Sequence, residues 1–235
     1  MRSKAKIGRS DRRTATQLPV ELPYRILKAP IWLTWEETVG SGLSGVVRFI
    51  DQLHRFAMLG AKPVLLDFRG CLRLDTVASL ILMAEVQRCL EFRPNCITIR
   101  PPKSDSVEIV LDAMGFYKLL NVRPRTRRSY PNAIEIQSGG VSRSGKEVTE
   151  NPGEMVYDVA IIADEVFGDE TFTNRVHAAL NEAADNAISW AYPDDRPGKW
   201  LRRWWVGAVT EMAERRAHFF AFDQGVGIPS TAPVR

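Results

Sequence analysis

No apolar run in this chain approaches the roughly 18 to 20 residues needed to cross a bilayer, and its N-terminus carries charges where a signal peptide needs an apolar core. A membrane span and a cleaved leader are therefore not expected, and a soluble cytoplasmic protein is. Cysteine is scarce: Cys71, Cys89 and Cys96 are odd in number and lack CxxC spacing, which argues against a disulfide framework or a zinc site and for buried free thiols. Charge of one sign is also lacking outside the N-terminus. The chain is net +4, but residues 1–13 alone hold Arg2, Lys4, Lys6, Arg9, Arg12 and Arg13 against Asp11, so the remainder is close to neutral. Residues 1–20 are expected to form a solvated, disordered basic tail. A second basic cluster, Arg123, Arg125, Arg127 and Arg128, has no interleaved aromatic before Tyr130, so nucleic acid is not an expected partner.

What is present is enough apolar side chain for packed cores. Hydrophobic residues are 45% of 235, and two small modules are expected. Residues 29–120 alternate apolar runs with helical patterns, the mark of an α/β unit. Val46, Val47, Phe49, Ile50, Leu53, Phe56, Ala57 and Leu59 fit an amphipathic helix ending at Gly60, and Pro63–Phe68 reads as a buried strand. Val77, Leu80, Ile81 and Ala84 recur at helical spacing within 74–92, and Cys96–Ile99 is a second strand. Asp105 and Glu108 have the spacing of a capping box at the head of a further helix.

This order resembles the STAS domain, the small α/β module of anti-sigma-factor antagonists. The likeness spans about ninety residues and rests on Val64-Leu65-Leu66-Asp67-Phe68, on Leu74-Asp75-Thr76-Val77-Ala78 and on Leu111-Asp112-Ala113-Met114-Gly115-Phe116-Tyr117-Lys118-Leu119. In switching members of that family, the acidic residue opening the helix is followed by two small hydroxyl residues, the second of which is phosphorylated. Here Val77 holds that second place and has no oxygen to accept a phosphoryl group, leaving Thr76 as a weak substitute.

Residues 121–156 hold the arginine cluster and then Ser138-Gly139-Gly140, Ser144-Gly145 and Asn151-Pro152-Gly153. This composition predicts a linker or exposed loop over 123–154, with Ile134 and Ile136 in one edge strand and a module boundary near 135.

The second module is expected to open with a strand over Met155–Ile162, followed by a helix from Asp169 to Trp190 with Phe172, Val176, Leu180, Ala183, Ala184, Ala187 and Ile188 on its apolar face. Glu182, Asp185, Asn186 and Ser189 fall at i, i+3, i+4 and i+7, so their side chains share another stripe. Arg202–Thr210 and Arg216–Asp223 read as antiparallel strands joined by a short turn, with Asp223 at the end of a central strand. The following Asp223-Gln224-Gly225-Val226-Gly227-Ile228-Pro229 has the pattern D-x-G-x-G, and backbone without Cβ can approach a flat base or a phosphate closely.

Taken in that order, helix, hairpin and glycine string resemble the GHKL ATPases, a family that includes DNA gyrase, heat-shock protein 90 chaperones, MutL, histidine kinases and anti-sigma-factor kinases. Asn181-Glu182-Ala183-Ala184-Asp185-Asn186-Ala187 looks like their N-box and Asp223–Pro229 like their first glycine box. Ala191-Tyr192-Pro193 is closest to the anti-sigma-kinase branch, although Trp190 stands where many of those members have histidine. The resemblance implies a partial Bergerat-type α/β sandwich over 155–235, behind a STAS-like domain over 21–122, with ATP and Mg²⁺ as cofactors. It assigns Glu182 as general base, Asn186 to the Mg²⁺ that bridges the phosphates, Asp223 to the adenine amino group, and Gly225 and Gly227 to the turn beneath the base and the start of the lid. The three histidines fit a sensor kinase poorly. His54 has no acidic sequence neighbour of the kind a phosphoacceptor needs, His177 precedes the site on the same helix and His218 occupies a strand.

The implied function is a cytoplasmic ATP-binding regulatory protein acting on protein partners by partner switching. It would be an ATPase or serine/threonine protein kinase if completed by the lid and second glycine box that family members carry, for which the sequence up to Arg235 has no counterpart. Two alternatives stay open: a non-catalytic interaction module, or half of a split ATPase. A sheet short of neighbours would also expose an edge to another copy of the chain.

Overall fold

The computed structural model describes residues 24–35, 45–125, 133–140, 152–192, 202–211 and 214–225. The expected basic tail, Arg127 and Arg128, and the string from Val226 onward, with Gly227, lie outside the described residues. The described chain is mixed α/β.

Three short strands, β1 (Arg25–Lys28), β3 (Val64–Asp67) and β5 (Ile97–Arg100), form a parallel sheet in the order β1-β3-β5. Parallel neighbours need a crossover. The helix α1 (Gly45–His54), extended by a π-helical turn over Arg55–Leu59, lies between β1 and β3 in sequence, and α2 (Thr76–Phe92) lies between β3 and β5. Leu27, Val64, Leu66, Ile97, Phe49, Leu53, Leu82, Val86 and Leu111 share one core with the T-shaped ring pairs Phe49–Phe68 and Phe68–Phe116. A two-residue parallel ribbon, β2 (Trp32–Leu33) with β4 (Arg73–Leu74), leads into α2, whose N-cap Asp75 accepts from the Ala78 N–H at 2.7 Å and from the Trp35 N–H at 2.5 Å. The three cysteines are free and buried, as their count implied, and burial pushes the Cys71 thiol up to about 11.

Asp67, at the end of the central strand, is 5% exposed and accepts twice from the Arg69 guanidinium, at 2.9 and 2.7 Å, and once from Arg100 at 3.3 Å. The Arg69 bonds outweigh the opposing effect of burial and hold the carboxyl down to about 2, from a usual 3.8. A depressed carboxyl stabilises the fold above its unfolded value and stops doing so as pH falls through its folded one. The thermal midpoint should therefore lose an increment between about pH 4 and pH 2 that Asp67→Asn does not show, as read by calorimetry across that window.

The capping box expected at Asp105 is absent. The helix α3 (Asp105–Ala113) starts one residue earlier than that box requires, with Ser104 at the N-cap bonding the Ser106 hydroxyl at 2.8 Å rather than capping a backbone N–H, so Glu108 sits a position too far along to reach back. Glu108 is instead fully buried and accepts from Arg125 Nε at 3.0 Å, while Asp105 accepts from the same guanidinium at 2.6 Å. A carboxylate buried this deeply needs a charge-assisted partner more than it needs a backbone N–H. A short helix, α4 (Phe116–Leu119), follows and buries Phe116 and Tyr117.

The stretch 123–154 contains an eight-residue strand, β6 (Ala133–Gly140), in the place expected for Ile134 and Ile136. It flanks β7 (Arg203–Glu211), which also pairs antiparallel with β8 (Arg216–Asp223), giving the order β6-β7-β8. The hairpin of the last two strands is the one expected, but among the described residues β8 is an edge strand, so Asp223 does not end a central one there. Sequence adjacency fixes which strands form a hairpin and leaves the neighbour beyond it unspecified. Met155–Ile162 is not a strand either: the helices α5 (Pro152–Ala160) and α6 (Ile162–Phe167) occupy it. Pro152 takes the first helical position, where its missing N–H costs nothing, and Val156, Val159, Ala160 and Ala163 recur at helical spacing into the core.

The long helix α7 (Glu170–Trp190) is capped by Asp169, which accepts from the Thr171 and Phe172 N–H groups. Thr173, Leu180, Ala184 and Ala187 are buried; Phe172 and Ile188, expected on the apolar face, are exposed, and Phe172 packs on Phe167 at 4.8 Å between centroids. The strand alternation of β7 sends Trp204, Val206 and Ala208 toward α5 and α7, and Trp205 toward α2. Phe220 and Phe222 of β8 join Trp205, Leu80 and Ala84 there. Trp205 Nε1 donates to Gln87 at 2.7 Å, and Arg203 pairs with Glu91 at 3.3 Å. Helix α2 is thus buried on two sides, with Leu80, Ala84, Gln87 and Glu91 as the stripe toward the antiparallel sheet. Val77, counted in its apolar pattern, is 41% exposed at its head.

Candidate nucleotide cleft

Between the C-terminal half of α7 and the end of β8 lies a cleft of about 310 Å³, at the small end of the range for small-molecule sites. Glu182, Asn186 and Asp223 all line it, with Trp190, Trp204 and a wall of alanines that includes Ala183, Ala184 and Ala187. Small residues on α7 let the helix run close to the sheet, and the helical i, i+4 spacing turns Glu182 and Asn186 to the same side. Asp223 reaches the cleft because strand alternation puts it on the same face of the sheet as Ala221 and its cross-strand partner Trp204.

The polar groups are mutually arranged. Asn186 Nδ2 donates to Glu182 Oε1 at 3.1 Å, which leaves the Asn186 amide oxygen without a partner among the described residues. Asp223 Oδ1 accepts from the Gly225 N–H at 2.8 Å, and Oδ2 has no partner among the described residues. The cleft therefore presents a carboxylate oxygen at one end and a carboxylate with an amide oxygen at the other. Asp185 and Ser189, on the same sequence stripe, are exposed and do not line the cleft.

Gly225 does not lie open beneath a ligand in this arrangement. A Cβ built there would stand 2.2 Å from the Ala191 carbonyl oxygen and 2.5 Å from its Cβ, so the glycine lets the chain press on the C-terminal end of α7. Because the obstacle is largely backbone, Gly225→Ala should cost about 1–3 kcal/mol, read as a lower denaturant midpoint at unchanged slope.

Two residues at this site carried no signal of such a role in the sequence. Tyr192, just past α7, donates its hydroxyl to the Arg203 carbonyl and accepts from the Gln224 N–H at 3.1 Å, tying the helix end to β7 and β8. Burial pushes its hydroxyl up to about 12, so it stays protonated and able to donate. Trp204 lies over Gly139, where a Cβ would meet its ring at 2.3 Å, and its buried indole nitrogen has no hydrogen-bond partner among the described residues. The Ala-Tyr-Pro segment after the helix was visible, but nothing local showed that the tyrosine hydroxyl bridges two strands.

Two histidines stand apart from this site. His54, which has no acidic neighbour in sequence, meets Glu85 across the core at 2.9 Å, because α1 packs against α2. His177 Nε2 accepts from Asn181 Nδ2 at 2.8 Å within α7, and its ring packs edge-on to Tyr157. Comparison with family models, curated proteins and solved structures gave no match. No helix among the described residues is long and apolar enough to cross a membrane.

Proposed function

We propose that this chain is an ATP-binding regulatory protein of the GHKL type, with a STAS-like module over 21–122 and a partial Bergerat-type module over 155–235, acting in the cytoplasm through protein partners. The observation that carries the reading is the convergence of Glu182, Asn186 and Asp223 on one cleft, with Glu182 and Asp223 lying 41 positions apart in the chain. Asp223 Oδ2, which has no partner among the described residues, is an acceptor for the adenine amino group, a contact that guanine, with a carbonyl at that position, cannot make. The amide oxygen of Asn186 is a hard ligand of the kind Mg²⁺ takes alongside phosphate oxygens, so the donor set fits that ion. Bound there, Mg²⁺ would neutralise charge on the phosphates. Glu182, held by Asn186, would accept the proton of an attacking water or hydroxyl.

A second reading, a non-catalytic interaction module, is favoured by one observation. The exposed residue at the second position of α2, where a switching STAS domain presents a phosphorylatable hydroxyl, is Val77. Calorimetric titration of the full chain with ATP and GTP, with and without Mg²⁺, tests the leading reading. Saturable binding of ATP over GTP, tightened by Mg²⁺, is the expected result, and equal or absent binding of the two nucleotides overturns it. Transfer or release of labelled phosphate by the chain alone excludes the non-catalytic reading.

A further inference from the structure

Where the strands of the parallel sheet end lies a second recess of about 400 Å³, lined by Lys28, Ile31, Asp67, Arg69, Gly70 and Lys103 among others. The register explains its composition. Lys28, Asp67 and Arg100 are the last residues of β1, β3 and β5 and stand side by side across the sheet, Lys28 against Asp67 and Asp67 against Arg100. The carboxyl ends of parallel strands are where ligands of open α/β sheets bind, since the connecting loops part there and leave a crevice.

The charges in the recess do not balance. Asp67 is the one carboxylate lining it among the described residues, and both its oxygens are taken by guanidinium groups, Arg69 at 2.9 and 2.7 Å and Arg100 at 3.3 Å. Lys28 and Lys103 are exposed and have no ionic partner among the described residues. An ion pair capping the sheet end accounts for the two arginines and Asp67, but not for two further lysines lining the same hollow. Like charges gathered in a concave site raise its potential and concentrate anions there. The Asp67 fork also fixes Arg69, whose side chain remains half exposed at 51%, so one cation is oriented before any ligand arrives. The wall at Gly70 is open space, since a Cβ built there would meet nothing within 4 Å.

We propose that this recess binds a small phosphate-bearing ligand, held by Lys28, Lys103 and Arg69, independently of the nucleotide cleft. A multiply charged phosphate suits three convergent cations better than a single carboxylate does, and a point-charge lysine pair beside an oriented guanidinium is the donor set that such a group takes.

The test uses the full chain, with inorganic phosphate and pyrophosphate as probes and ionic strength held constant with chloride. Backbone amide resonances of residues 28–29, 67–70 and 103 report the recess, and those of residues 182–187 and 223–225 report the cleft. Saturable shifts confined to the first set are expected, tighter for pyrophosphate. The pair Lys28→Ala and Lys103→Ala, both exposed and outside any core, should weaken pyrophosphate by about tenfold or more. Shifts that follow salt alone, shifts confined to the cleft, or unchanged affinity in the double variant would each overturn the proposal. Since Asp223→Ala leaves the recess intact, recess shifts that persist in that variant separate this site from failure of the nucleotide reading.

Discussion

Asp223→Ala should weaken ATP binding by about 10- to 150-fold while leaving the fold intact. The magnitude is the roughly 1.5 to 3 kcal/mol of a hydrogen bond to a charged acceptor, converted to an affinity ratio. The carboxylate spends Oδ1 on the Gly225 N–H and keeps Oδ2 for the cleft. Its backbone is secured separately, since β8 pairs with β7 over its whole length, from Arg216 to Asp223. Truncation therefore removes the contact proposed to distinguish an amino-bearing base without dismantling the strand that presents it. Asp223→Asn refines the test. It keeps shape and one acceptor oxygen but loses the charge, so ATP should bind with an affinity between wild type and alanine. Calorimetric titration of the three proteins decides the matter, and equal ATP affinity in wild type and Asp223→Ala would remove adenine recognition from this residue.

The parts of this site that could be read from sequence are those set by local geometry. Glu182 and Asn186 share a side because a helix repeats every 3.6 residues, and Asp169 announces where that helix starts. The last hairpin is legible because its two strands are apolar, close in sequence and separated by a polar turn. The misreadings have the complementary cause. A seven- or eight-residue apolar run such as Met155–Ile162 satisfies strand and helix templates alike, and only the Pro152 start and the packing of Val156, Val159 and Ala160 against α7 and the sheet decide for helix. That β8 lies at the edge of the described sheet, and that Glu108 serves Arg125, are outcomes of long-range packing. The largest surprise is of the same kind. The antiparallel sheet is covered on one face by α2, a helix assigned to the other module, so the two expected modules meet through a buried stripe.

That shared helix places the second large effect at Glu85. It is 1% exposed, and both carboxylate oxygens are in use: Oε1 meets His54 Nδ1 at 2.9 Å and accepts from Cys89 Sγ at 3.3 Å, while Oε2 pairs with Arg88 at 2.5 Å and accepts from Gln224 Nε2 at 3.3 Å. Glu85→Ala would leave the mostly buried Arg88 guanidinium uncompensated and strand three further groups. Breaking a buried pair from one side costs about 3–5 kcal/mol. For a chain of this size, that lowers the thermal midpoint on the order of 10 °C. Glu85→Gln, which keeps the volume and one acceptor oxygen, should cost less, because the cavity is spared and only the charge is lost. The Gln224 contact gives the measurement a second use, since Gln224 stands between Asp223 and Gly225 and its own N–H is held by Tyr192. A double-mutant cycle of Glu85→Gln with Gln224→Ala should show an interaction energy above about 0.5 kcal/mol if α2 and the glycine string are energetically joined. Strict additivity of the two substitutions would show that the cleft end of β8 and the buried carboxylate of α2 are independent, despite lying within hydrogen-bond reach.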